Sequence, residues 1–350
     1  MIRIKSPGRI CLFGEHQDYF NLPVISMAIS LHSTIIGRKI NSRKIIIHKK
    51  DLDEIESFSL DDLKYDKKRD YFKSGVVSCV KEGLEFSNGF EVSIESNIPM
   101  QAGCGSSSSI MVGWIYFLSK MSDQSVDWSI EKIGELAYAA EVLNFKEPGG
   151  MMDQYSSALG GLIYLNSQPK IYFEKLNPSL GFFILADSLD SKPTMEILSK
   201  CKKLRLNIIN KISTNLLDFD LSNSVFDQVK PLLNDDEVFL MEGTFHNRDL
   251  LWKGLAVLKD KFLDHVLLGN LLYDQHKVLR DVLEISTVKI ENMMKAAMDA
   301  GALGGKITGS GGGGCMFVYG IEQKEKIMDA IRGQGGVPYL VHPSPGVLMD

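Results

Sequence analysis

Residues 97–109 carry the strongest chemical signal in the sequence. Gly103 and Gly105 allow close backbone approach to a ligand, and Ser106, Ser107, Ser108 and Ser109 supply hydroxyls. Apolar residues at helical spacing follow through Lys120, so the positive end of a helix dipole and its unpaired N–H groups point into the loop. This is an anion cradle by construction. It is not a Walker A loop, because no Gly-Lys-Ser/Thr follows the glycines, and the chain lacks the His-Arg-Asp and Asp-Phe-Gly of protein kinases. The alternative is a serine-rich loop that only caps a helix. Near the N-terminus, Arg9, Glu15, His16 and Asp18 surround the apolar stretch 10–13. Charged groups beside a core edge are costly unless paired or facing a ligand. Arg9 could neutralise an oxyanion, and two carboxylates with an imidazole could bind several hydroxyls of a polyol; a salt-bridge cluster at a turn would read the same way. Glu141 and Asp153 flank a Pro-Gly-Gly break. Beside a phosphate cradle, one could hold Mg²⁺ while the other orients or deprotonates a hydroxyl. Alternatively they are two solvated acids. The cluster 309–314 satisfies GxGxxG, but the run after it reads as a strand, so the dinucleotide fingerprint is rejected and a strand–loop–strand element is expected.

Changes in hydrophobic period mark the elements that must position these groups. Residues 2–5 and 90–96 alternate, and 34–38 and 44–48 are short β-branched runs. Helical spacing covers 71–85, 107–120 and 129–143. A buried strand is expected at 181–187, helices at 195–212, 250–258 and 287–300, and short strands at 304–308 and 315–319. Strands and helices alternate irregularly, which favours α+β over α/β. With 350 residues, 44% hydrophobic, two globular domains are expected, divided near 167–181. Thirty-nine basic against forty-four acidic residues give a net charge of −5, which removes the basic footprint of nucleic-acid binding. Five scattered cysteines without CxxC spacing indicate neither a disulfide framework nor a zinc site, and fit a reducing cytoplasm. No export signal or membrane span is read from the sequence, so the protein is expected to be cytoplasmic.

In their order along the chain, these motifs resemble the three signatures of the GHMP small-molecule kinases. Residues 6–9, 14–19 and 152–154 look most like the galactokinase branch. The resemblance runs from residue 4 to about residue 320. It implies an α+β fold with a ribosomal-protein-like N-terminal domain, 1–175, and a ferredoxin-like C-terminal domain, 176–350. ATP and substrate would lie in the cleft between them. It further implies Asp153 as the catalytic carboxylate and Arg9 as the cation beside the phosphoryl group. Glu15, His16, Asp18 and Tyr19 would bind the sugar. Gly103, Gly105, Ser106, Ser107 and Ser108 would wrap the triphosphate, while Ser107 and Glu141 would hold Mg²⁺.

Several positions depart from the galactokinase pattern. Gln17 replaces the usual threonine, residues 20–23 replace a glycine-containing continuation, and Gly105 stands where the first of three serines is usual. Residues 190–197 lack a stretch whose tyrosine lies in the galactose site. The expected activity is ATP- and Mg²⁺-dependent phosphorylation of the anomeric hydroxyl of galactose or a related aldose. Alternatives are the same fold acting on a uronic acid, another hexose or a mevalonate-like acid, and a non-catalytic sugar-sensing paralogue. Lys192, the only cation in 190–199, could meet a uronate carboxylate or point to solvent. The partners expected are small molecules, with no nucleic acid and no membrane, on a monomer or weak dimer.

Overall fold

The computed structural model describes residues 1–350 except 101, 125, 191–193 and 213–222. Lys192 lies outside the described residues. Two sheets organise the rest. The first runs β12-β1-β2-β5-β3-β4, with β6 and β7 continuing from the other half of β2. Its strands are β1 (Ile2–Phe13), β2 (Val24–Ile40), β3 (Lys44–Lys49), β4 (Glu54–Ser59), β5 (Gly89–Ser96), β6 (Leu162–Asn166), β7 (Tyr172–Leu176) and β12 (Leu348–Met349). Only β3 and β5 pair in parallel. The second sheet is antiparallel, in the order β11-β8-β10-β9, from β8 (Phe182–Asp187), β9 (Gly304–Ile307), β10 (Cys315–Gly320) and β11 (Val337–Val341). The expected mixed two-part architecture is the one observed, and the GxGxxG cluster is the β9–β10 hairpin.

The first sheet buries one face under α1 (Tyr71–Lys81), α2 (Ser106–Met121), α3 (Ile130–Glu141) and α4 (Met152–Leu159). Trp114 and Phe117 stack within α2, and Phe117 meets Phe90 edge-on, so aromatic side chains of one helix face fill this core. α7 (Asp235–Lys259), α8 (His265–Asp281), α9 (Val288–Asp299) and α10 (Lys324–Gly333) pack against the second sheet and the joint between the two. α5 (Thr194–Ile212) follows β8 and reaches the same joint. Two details of β1 matter for chemistry. Its pairing with β2 shifts register between Pro7 and Arg9, an irregularity that re-aims a side chain. The Arg9 N–H donates to the Cys104 carbonyl at 2.9 Å, which seats the strand against the 97–109 loop.

Candidate active site

A cavity of about 790 Å³ opens between the sheets. Arg9, Glu15, His16, Asp18, Tyr19, Gly103, Gly105, Ser106, Ser107, Ser108, Glu141 and Asp153 all line it. Phe72, Ile94, Met100 and Ile110 add apolar side chains to its wall.

The loop end is built from backbone. Gly105 sits at φ +71°, a left-handed conformation that a serine would adopt only with strain, and α2 begins at the next residue without a side-chain cap. Its first N–H groups therefore face the cavity with the helix dipole behind them. Ser109 turns away and donates to the Ser6 carbonyl at 2.7 Å. Glu141, at the last turn of α3, accepts from Gln154 Nε2 at 2.7 Å and meets the hydroxyls of Ser107 and Ser108. Burial raises its pKa against those hydrogen bonds. The Gln154 Oε1 atom is buried without a partner.

Arg9 and Asp153 meet as a fork: Nε donates to Oδ1 at 2.7 Å and Nη2 to Oδ2 at 2.5 Å, while Nη1 donates to the Gly103 carbonyl. Burial opposes the guanidinium charge, but Asp153 and Glu15 outweigh it and raise the Arg9 pKa. Asp153 lies in the first turn of α4, so the Pro-Gly-Gly break does return it to the cavity. Asp18 stands beside this pair. It accepts from the Tyr19 N–H at 3.0 Å and the Met152 N–H at 3.4 Å, and among the described residues no cation forms an ion pair with it. Burial, then the charge of Asp153, pushes its pKa up to about 6. A Cβ on Gly150 would lie 2.0 Å from its Oδ2, so only glycine fits there.

The remaining groups of the 14–19 segment have protein partners that the sequence reading missed. Glu15 Oε2 accepts from the buried Lys306 at 2.8 Å. His16 Nε2 lies 3.1 Å from the Ser310 carbonyl, which can only accept, so in the neutral ring Nε2 carries the proton and Nδ1 accepts from the Tyr19 phenol. Arg205, from α5, donates to that same phenol. Gln17 faces the core, not the cavity, donating to the Pro23 carbonyl at 2.6 Å and accepting from Asn247 at 3.0 Å. Asn21 takes the left-handed conformation, φ +62°, that a glycine would otherwise supply. Of the 190–199 stretch, Glu196 and Leu198 line the cavity. The glycine hairpin packs on the phosphate-type loop: a Cβ on Gly309 would lie 2.5 Å from Gly103 Cα, and Cys315 N–H donates to the Ala102 carbonyl at 2.7 Å.

Residues 70–161 match the GHMP kinases N terminal domain, and residues 257–335 match GHMP kinases C terminal. The mevalonate kinase of Thermococcus gammatolerans is 31% identical over 97% of this chain and 95% of that protein. The chain belongs to the GHMP kinase family. Residues 2–39 of this kinase also match the galactokinase galactose-binding signature. A galactokinase of Clostridium acetobutylicum is 28% identical, covering 89% of this chain and 82% of that one. Among solved structures, Lactococcus lactis galactokinase complexed with galactose superposes with a TM-score of 0.88 at 20% identity, over 99% of this chain and 94% of that one. Methanococcus jannaschii mevalonate kinase gives 0.75 at 21%, over 98% of each. These likenesses carry the fold. GHMP kinases use ATP as phosphate donor, generally with Mg²⁺. The uncapped α2 terminus suits a polyphosphate. Glu141 and the Ser107 hydroxyl are hard oxygen donors. No cluster of three His, Cys, Asp or Glu exists among the described residues to complete a cage, and Mg²⁺ ordinarily takes phosphate and water instead. Among the described residues, no helix is long and apolar enough to cross a membrane.

Proposed function

We propose that this GHMP kinase transfers the γ-phosphoryl group of ATP to the anomeric hydroxyl of galactose or a related aldose. The observation that carries the reading is Asp18, a carboxylate that among the described residues forms no ion pair, facing the cavity next to the Arg9–Asp153 fork. An unpaired carboxylate is a good acceptor for sugar hydroxyls and a poor neighbour for a carboxylated substrate. In this reading Asp153 orients the attacking hydroxyl and takes its proton, while Arg9 stabilises charge as the bond from the γ-phosphorus to the bridging oxygen breaks and ADP leaves. The N-terminus of α2 receives the phosphates. Glu141 and Ser107 would hold Mg²⁺, which supplies neutralisation of phosphate charge. Glu15, His16, Asp18 and Tyr19 shape the sugar end.

The 31% identity to a mevalonate kinase favours a second reading, a mevalonate-like acid as the alcohol. Measuring ADP release with galactose, glucose, galacturonate, glucuronate and mevalonate separates them. Galactose is expected to give the highest kcat/KM, with phosphate on the anomeric oxygen. Preference for mevalonate would overturn the sugar reading, and sugar and ATP binding without turnover would overturn the enzyme itself.

A further inference from the structure

We infer that Lys306 is a positioning residue for Glu15 and, through it, sets which sugar hydroxyl the site accepts; this rests on the sugar-kinase reading above. The Lys306 side chain is 0% exposed and that of Glu15 is 3% exposed. Nζ donates to Glu15 Oε2 and to the Cys11 carbonyl, each at 2.8 Å, and stands 5.5 Å from the centre of the Phe317 ring. An ammonium so enclosed persists only when paired. Its strand is held from both sides. The Ile307 N–H donates to His276 Nδ1 at 3.3 Å, and Thr308 Oγ1 accepts from the Cys11 N–H at 3.4 Å. Side chains of residues 306 and 308 thus serve both backbone groups of Cys11, and the lysine cannot drift relative to β1.

The consequence falls on Glu15. With Oε2 taken, only Oε1 is left, and among the described residues no protein group donates to it, while Glu15 lines the cavity. A carboxylate tied at one oxygen presents the other in a fixed orientation, so the hydroxyls it accepts from must come from set directions. The charge of Glu15 is felt by Asp18, which it disfavours, and by Arg9, which it favours. A site built around one hydroxyl discriminates strongly when that hydroxyl is missing or misplaced. The second sheet therefore contributes to sugar choice without touching the sugar.

A double-mutant cycle on the full chain tests this, with galactose or whichever alcohol of the panel gives the highest kcat/KM. Lys306→Met is expected to raise the KM for that alcohol about tenfold or more while the KM for ATP stays within about twofold. Equal rises in both KM values would reduce Lys306 to a structural role. In a Glu15→Gln background, Lys306→Met should cost no further sugar affinity, since it acts only through Glu15; an additive loss overturns the inference. Glu15→Gln leaves Lys306 without its counter-ion, so where either single variant fails to fold, the double variant, which buries no unpaired charge, carries the test: its sugar KM should exceed the parental value by about tenfold or more, and an unchanged value overturns the inference. If Glu15→Gln leaves the sugar KM at its parental value, the sugar-kinase reading fails at that residue. If it raises KM and Lys306→Met does not, only the role of Lys306 falls. A readout without substrate completes the test: Lys306→Met should lose Tm relative to the parent as pH climbs from about 5 to about 8, because an unpaired buried carboxyl favours its protonated form. The double variant should show no such slope, and a flat difference for Lys306→Met overturns the pairing.

Discussion

The two ends of the cavity are finished to different degrees. At the phosphate end, the donors are backbone N–H groups of an uncapped helix, and the buried Gln154 Oε1 is left without a partner. At the end proposed for the sugar, Glu15, His16 and Tyr19 already hold Lys306, the Ser310 carbonyl and Arg205, and among the described residues Asp18 forms no ion pair. The first end is open to a ligand, while the second is rigidified by groups from β9, the glycine hairpin and α5. Chemistry and selectivity should therefore respond to different substitutions.

The largest effect tests the chemistry. Asp153→Asn should lower kcat by about 10²–10⁴-fold with ATP binding retained, and Arg9→Ala should also act mainly on kcat. A loss confined to the sugar KM would erase the contrast between the ends. Next comes the buttress behind the loop. Gly309→Ala places a Cβ against the backbone of Gly103 at a positive φ, and a shift of the loop by a fraction of an ångström should cost up to about 10²-fold in kcat/KM for ATP. An unchanged ATP response would show that the hairpin does not support the cradle.

Asp18 gives a smaller, pH-dependent effect. With its pKa pushed up to about 6, its acceptor form fills as pH rises, so kcat/KM for the sugar should climb about tenfold per unit below that point and level off above it. Stability runs the other way. A carboxyl whose folded pKa lies above its unfolded value near about 3.9 favours folding most at low pH and withdraws that contribution as pH climbs through about 6. The Tm difference between the parent and Asp18→Asn should change across that window, from about 4 to about 6, and stay constant on either side of it. The smallest effect belongs to Tyr19→Phe, which removes the phenol between Arg205 and His16. Of its two hydrogen bonds only the neutral one to His16 orients a group of the proposed sugar site, and at about 0.5–1.5 kcal/mol it should raise the sugar KM by about 2–10-fold, while loss of the charged bond from Arg205 is read in Tm.

The same contrast explains what was legible in the sequence. A helix N-terminus works through its backbone, so residues 103–109 announce an anion site locally, and the Glu141–Asp153 spacing survives because both lie at helix ends. β2 was readable only as 34–38. Its earlier half, buried almost continuously where β1 and β6 flank it, shows no alternation. Helices α8 and α10, and the short α4 after the Pro-Gly-Gly break, escaped because their apolar stripes are short or interrupted. Lys306 left one local trace, a charge in an otherwise apolar strand. Arg205 left none, since an arginine in a lysine-rich helix reads as a solvated face until Tyr19 is seen beside it. Gln17, which departs from the galactokinase pattern, turned out to serve the core.

The short strand β12 has a mechanical consequence. Because it returns to β1, the backbone crosses between the sheets twice, once between Leu176 and Phe182 and again between Val341 and Leu348. The second crossing is lashed down by bridges from Pro343 to Ile29 and from Pro345 to Gly160. The seam that these crossings span is also filled, since Ile10, Leu12 and Phe13 of β1 share one buried cluster with Phe183, Leu185 and Phe317 of the second sheet. The wall of the cavity that β1 supplies is thereby clamped from both sheets.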